Sequence, residues 1–241
     1  GLINNNFYIN SVYKGNVAPS LQLQTGFSFG YGNNKIGINT DKLNNYERAL
    51  HYKLKLRKTF SNMLKWNVGG EFFHTNFNEN YHAFSQYRVD YGYQNNTVAL
   101  FTEAEVFLSQ DLAFNLGLRS SNASIVDEFT LEPRVSVAYK IAKKSQLSVA
   151  YGSFYQTANP DYLKFTQNLK YENTNHYILN YLYNNDGKMF RAEAYFKDYD
   201  NLVKFDSNVF SKTSNFNNNG LGNAKGIDLF WRDNKTFKGL D

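Results

Sequence analysis

Four histidines, His51, His74, His82 and His176, are the first side chains to test for chemistry. A zinc site needs three or four ligands converging on one point, usually from fixed short spacings. These four lie far apart or on no shared strand face, and no HExxH occurs, so they read as isolated. Glu103 and Glu105 stand two apart, which puts both carboxylates on one side of a strand and could serve general acid–base work. However, His51, Lys53, Lys55 and Arg57 line one side of another strand in the same way. Ion pairing across a polar interior therefore accounts for the same glutamates. Asp198-Tyr199-Asp200-Asn201 has the acidic spacing of a calcium loop but lacks its glycine and downstream glutamate. There is no phosphate-binding loop and no dinucleotide fingerprint. The chain has no cysteine, which removes thiolate metal sites, cysteine nucleophiles and disulfides together. The reading is of a protein that is not an enzyme and has no cofactor and no metal.

Binding is better represented than catalysis. Between His74 and Asn96 the sequence holds Phe77, Tyr81, His82, Phe84, Tyr87, Arg88, Tyr91 and Tyr93 in a polar background, and Tyr and Arg concentrate binding energy at contact surfaces. This segment is either a loop or strand continued past its apolar part. By strand parity, His176, Tyr195 and Lys197 are the next candidates for ligand contact. A net charge of +5 is only modestly basic, and Lys and Arg are dispersed without a run of five, so nucleic acid is not an expected partner.

The elements that would position these residues are strands. Nineteen Tyr and 21 Phe against two Met favour sheet over helix. Period-two alternation is the dominant pattern. Odd positions from Leu21 to Tyr31 are mostly apolar while even ones are small or polar; Leu50, Tyr52, Leu54 and Leu56 then alternate with His51, Lys53, Lys55 and Arg57. The same pattern recurs to Trp231, giving about eleven strands. Short turns at 60–62, 109–111, 142–145, 184–187 and 233–235 alternate with long polar segments at 32–45, 74–96, 120–130, 156–175 and 200–222, the arrangement of an up-and-down antiparallel sheet. No apolar run approaches the length of a transmembrane helix. A soluble sandwich also alternates. Strands of about ten residues, the segregation of turns from loops, and charges in mid-strand point instead to an all-β transmembrane barrel with a watery lumen. Bacterial single-chain barrels have even strand numbers, so eleven implies a partial barrel.

The C-terminal half resembles the barrel domain of TonB-dependent outer-membrane receptors. The likeness is carried by Leu131-Glu132-Pro133-Arg134 leading into Val135–Ile141, by Ala150–Gln156 with Asn159-Pro160, and by the stretches Leu169–Tyr183, Phe190–Phe205 and Asn217–Asp233. It extends to 97–119 and is architectural before that. The resemblance implies residues 1–241 as one partial barrel domain, about eleven strands of about 22, from the middle of the barrel, without the plug or the closing strands. It further implies the outer membrane of a Gram-negative bacterium, contact with outer-membrane lipid, a TonB complex engaged through missing N-terminal regions, and uptake of a scarce nutrient ligand such as a metal chelate, cobamide or glycan. The chain begins GLINNNFYIN, with neither an initiating Met nor a signal peptide, in keeping with a piece of something longer. A non-energised porin or surface-binding barrel is the alternative, and a soluble carbohydrate-binding β-protein a more distant one.

Overall fold

The computed structural model describes residues 1–83, 88–206 and 214–236. Eleven strands run in chain order through one open antiparallel sheet, each hydrogen-bonded to its sequence neighbour. They are β1 (Leu2–Ala18), β2 (Leu21–Ile38), β3 (Asp41–Thr59), β4 (Leu64–His82), β5 (Arg88–Phe107) and β6 (Leu112–Ala123). They continue with β7 (Glu132–Ala142), β8 (Ser145–Gln156), β9 (Glu172–Asn185), β10 (Lys188–Phe205) and β11 (Phe216–Asp233), and one turn of helix, α1 (Pro160–Leu163), precedes β9.

At one end the connections are tight. Asp186 and Gly187 both have positive φ, 48° and 84°, the hairpin geometry whose twist matches that of the flanking strands. At the other end the first two long polar segments prove to be mostly strand. β2 and β3 stay in register until Ile38 meets Asp41, and β4 and β5 until His82 meets Arg88. Periodicity reads 32–45 as a loop and leaves 74–96 as either loop or continued strand for a physical reason: beyond Tyr31 and Phe72 the outward phase turns polar, so the backbone ladder continues while the hydrophobic alternation that reveals strands fades. The segments 157–171 and 124–131 remain connections, apart from α1 and a single bridge between Asn122 and Phe129.

The register sorts the side chains into two faces. Leu23, Thr25, Phe27 and Phe29 of β2 oppose Leu56, Leu54, Tyr52 and Leu50 of β3, which oppose Val68, Gly70, Phe72 and His74 of β4. This outward belt continues through Val98, Leu100, Leu116, Leu118, Val149, Leu179 and Leu229, and it is exposed: Leu100 is 66% and Leu229 69% accessible. A water-soluble fold buries such a surface; here the apolar face is on the outside. The threonines on this belt donate their protons locally. Thr25 Oγ1 donates to the Lys53 carbonyl at 3.1 Å, and Thr102 Oγ1 donates to the Asn67 carbonyl at 3.4 Å while accepting from Trp66 Nε1 at 2.6 Å, which spares these groups an unsatisfied position in hydrocarbon.

Neighbouring positions on β3 give a direct test. Leu54 lies on the outward belt and Lys55 on the opposite face. In the intact protein, Leu54→Arg should cost about 2–4 kcal/mol in folding titrations from lipid vesicles, and Lys55→Ala far less. Equal costs would overturn the assignment of faces.

Candidate functional site

The inward face is held by charge. Glu71 of β4 accepts from Lys53 of β3 at 2.6 Å and from Arg119 of β6, reaching past β5 to do so. The reach runs obliquely over β5, where Glu71 stands opposite Ala99, 1% exposed and too small to obstruct it, and Arg119 stands opposite Phe101. Arg119 also lies 3.8 Å from Glu132, which accepts from Arg134 at 3.1 Å. Five side chains thus tie β3, β4, β6 and β7 across one wall. A second bridge passes over β4, where Arg57 donates to Glu105 at 2.8 Å beside Asn67, which donates to the same carboxylate at 3.3 Å. Glycine is needed at Gly69: a Cβ there would stand 2.6 Å from the Phe101 ring and 2.3 Å from the Leu54 carbonyl oxygen. The same Phe101 ring receives Lys53 Nζ at 5.3 Å.

These residues border a hollow of about 470 Å³ lined by Lys53, Lys55, Arg119, Arg134, Phe154 and His176 among others, with Glu103 as its one lining carboxylate. Glu103 accepts from Asn115 at 2.6 Å, so the two glutamates singled out from sequence have separate partners and form no acid–base pair. His51 stacks on Phe73 at 4.0 Å between centroids. His176 opposes Lys197, whose Nζ sits 5.3 Å from the Tyr195 ring. These three share the inward wall as parity predicts.

Above the hollow the segment 157–171 folds inward onto the extended β4–β5 hairpin. Asn159 caps α1 by accepting from the Asp161 N–H at 2.9 Å, and Pro160 starts the helix without needing a donor. The turn delivers Leu163 and, with Ala158 and Leu169, packs on Tyr93; Phe77, Tyr162, Val203 and Phe216 lie around them. Lys164 donates to Glu79 at 3.0 Å, and Phe165 meets the edge of Tyr91 at 4.8 Å. The Ala123 N–H donates to Tyr171 Oη at 2.6 Å, fixing the end of the segment. The result is a small roof over the wall, the main apolar core among the described residues.

The aromatic stretch read from sequence is therefore divided. Tyr81, Tyr91 and Tyr93 face inward; Tyr81 Oη donates to Asp41 at 2.9 Å, and Tyr93 is packed under the roof. His82 and Arg88 take the outward phase, with Arg88 Nε donating to His82 Nδ1 at 3.3 Å. Tyr87 and Phe84 lie outside the described residues. Glu71, Glu79, Arg119, Glu132, Arg134 and Lys164 were not singled out as site residues; the first five share the inward phase of the flagged cations, while Lys164 lies in the connection 157–171 and has no strand phase. Among the described residues no three His, Asp or Glu side chains are grouped to hold a metal, and Asp198 to Asn201 lie within β10.

Tyr93 lies beyond the apolar belt, where the adjacent outward positions are Gly92, Gln94 and Asn96. Burial foremost, then the charges of Glu47 and Asp161, pushes its phenol up to about 12. An unfolded tyrosine ionises near 10, so this group's contribution to stability is intact below that pH and is lost as pH rises through about 12. Ultraviolet difference titration of Tyr93→Phe against the parent should remove one phenol ionising near that upper value; loss of one titrating near 10 would show the roof to be open.

A family model described as TonB dependent receptor-like, beta-barrel matches residues 2–240. No curated protein matches the sequence. Among solved structures, the pyoverdine outer membrane receptor FpvA of Pseudomonas aeruginosa PAO1 aligns over 98% of this chain and 42% of its own, at 9% identity and a TM-score of 0.76. The siderophore receptor PirA of Acinetobacter baumannii aligns over 96% and 40%, at 12% identity and 0.69. The RagAB peptide importer aligns over 95% and 34%, at 11% identity and 0.72. The chain thus spans between about a third and two fifths of the length of these proteins, and at such identities the likeness is one of fold.

Proposed function

Since this chain belongs to the TonB-dependent receptor-like β-barrel family, we propose that it is part of an energised outer-membrane importer of a scarce nutrient and carries no catalytic chemistry of its own. The observation that carries this reading is the inward wall: charges braced across strands, a polar hollow below, and a roof of packed loop above. Such a wall accepts a polar solute and orders the route past it. Ligand contact is assigned to Tyr81, Tyr91, His176, Tyr195 and Lys197 on the inward face, with Tyr93 supporting the roof. His82 and Arg88 stand at the tip of the hairpin on its outer side. The ligand is a metal chelate, a cobamide or a glycan; Lys53, Arg119 and Arg134 are taken up by Glu71 and Glu132, and Lys55 is the lining cation with no ion pair among the described residues. The plug, the contact with TonB and the strands that complete the barrel are assigned to the rest of the receptor, and the long-connection end to the cell surface.

Two measurements test this. Cysteines at Asn78 and Asn217 should react with an impermeant reagent on whole cells, and cysteines at Ser61 and Asn185 should not; the opposite pattern would invert the topology. Uptake of radiolabelled ferric chelates by cells expressing the complete receptor should vanish when TonB is deleted while binding persists. Replacing Tyr91, Tyr195 and Lys197 together with Ala should weaken binding at least tenfold, the loss of one or two contact residues' worth of energy, without reducing the assembled barrel. Uptake without TonB would favour a passive pore.

A further inference from the structure

On its inward phase β2 reads Gly26, Ser28, Gly30 and Gly32, so over four successive positions this strip of wall carries almost no side chain. Glycine inside a strand weakens it and often marks a place where a ligand or another backbone comes close. At Gly30 and Gly32 the sheet itself does not demand it. Neither has a positive φ. A Cβ at Gly30 would meet nothing nearer than Tyr8 Cδ2 at 3.8 Å, and one at Gly32 only Asn6 Oδ1 at 3.2 Å, the end of a side chain that can turn aside. Gly92 and Gly220 differ: there a Cβ would stand 2.7 Å from the Phe77 carbonyl oxygen and 2.5 Å from that of Leu202, so the backbone alone bars a side chain.

The missing side chains leave a second hollow, of about 420 Å³, floored by Gly30 and Gly32 and bordered by Asn6, Asn34, Asn45, Glu47 and Phe77. In register, Gly32 lies between Asn6 of β1 and Glu47 of β3, and Glu47 opposes Phe77 of β4. The polar groups around it are acceptors with nothing to accept. Asn6 commits its Nδ2 to Asn4 Oδ1, which leaves its own Oδ1 beside Gly32. Asn34 Oδ1 is shielded from solvent and accepts no hydrogen bond among the described residues. Glu47 is exposed and forms no ion pair among them. No Lys or Arg lines the hollow. The next residue along β3, Arg48, takes the outward phase, where its guanidinium stands 6.0 Å from the Tyr31 ring centroid and 5.8 Å from that of Tyr46. Above the apolar belt, the charged side chains on the described inward phase of β2 to β5 are Asp41, Glu47 and Glu79, and Lys164 occupies only the last.

We propose that this hollow holds a primary ammonium group of the imported ligand. An ammonium brings three donors and no acceptor, the complement of a site whose groups can only accept. Glu47 supplies the opposite charge, the Asn6 and Asn34 side-chain oxygens supply the neutral partners, and the Phe77 ring offers a face that attracts a cation. The bare strand lets whatever carries the ammonium lie directly against the backbone of β2. This assignment rests on the importer reading and adds to it that the ligand carries a positive charge.

The test titrates the complete receptor in detergent with glucosamine, N-acetylglucosamine and glucose by saturation-transfer NMR, below neutral pH so that the amine is protonated. The three probes share a ring, and only the first has the ammonium. Glucosamine should bind the parent about tenfold more tightly than the other two, and Glu47→Gln should abolish that preference, the loss of one charge-assisted hydrogen bond. Gly30→Val fills the floor without touching a charge and should weaken glucosamine by a similar factor. Glu128→Gln, which removes an exposed carboxylate from the connection 124–131, should bind like the parent. Heat-dependent gel mobility reports barrel assembly in each variant. Equal binding of the three sugars by the parent would overturn the proposal, as would a preference that survives Glu47→Gln or Gly30→Val in an assembled barrel. A parent that ignores glucosamine, together with a Glu47→Gln barrel that fails to assemble, would also overturn it and give the hollow to a lysine of the receptor's own chain. The TonB dependence of uptake is read separately: if it holds while the sugar preference fails, the importer reading stands without the ammonium site, and if it fails while the preference holds, the site stands without that reading.

Discussion

Everything in this structure depends on backbone hydrogen bonds that have no alternative partner. A strand crossing hydrocarbon can satisfy its N–H and C=O groups only against the next strand, so the ladder cannot lapse anywhere along the belt. That requirement dictates the long uninterrupted pairing from β1 to β11, and it explains why Thr25 and Thr102 use their hydroxyls so close to home. With the ladder settled, side chains are free to alternate. One phase becomes solvent for lipid and the other becomes a wall.

The inverted distribution of polarity follows. In a soluble domain, apolar packing gathers the chain and charges decorate it. Here the described apolar core is confined to the roof around Tyr93, Leu163 and Leu169, and the inward wall is organised by Glu71, Arg119 and Glu132. Partly buried ion pairs contribute little net stability, because desolvation offsets most of their attraction. Their geometric demands are what count: each bridge specifies which residues of distant strands must lie at the same height. The roof then has a firm floor, since Glu79 and Tyr91, which hold Lys164 and Phe165, stand on strands whose height is already set.

Much of this was legible in the amino-acid order, and the reasons for success and failure are both physical. Leu50 to Arg57 announced a strand because lipid on one side and polar surroundings on the other impose a contrast of two. The strand's continuation through Asn44 and Asn45 announced nothing, because water on both sides imposes no contrast. The eleven strands, the tight turns and the family likeness were thus readable, while 32–45 read as a loop and 74–96 as either a loop or continued strand. For the wall, Arg57 with Glu105 was visible as a class of pairing but not as a particular pair, since parity gives the face and not the height. Ala99 carried no signal at all: its role is to be small beneath an ion pair made by others. Lys164 was equally silent, because its partner Glu79 is 85 residues away in sequence.

Ala99 also bears on how the sheet assembles. Because the Glu71 to Arg119 bridge passes over β5, it compares the heights of two strands that never touch. A slip of one residue in β5 would turn Glu71 or Arg119 toward lipid, and a slip of two would separate the charges and set Phe101 or Thr97 where the gap is needed. Local hairpin pairing cannot detect a slip of two, since the side chains still face the right way. The bridge can. It acts as a proofreading device for strand register, exerted two strands away, on a sheet whose polar extensions would otherwise tolerate sliding.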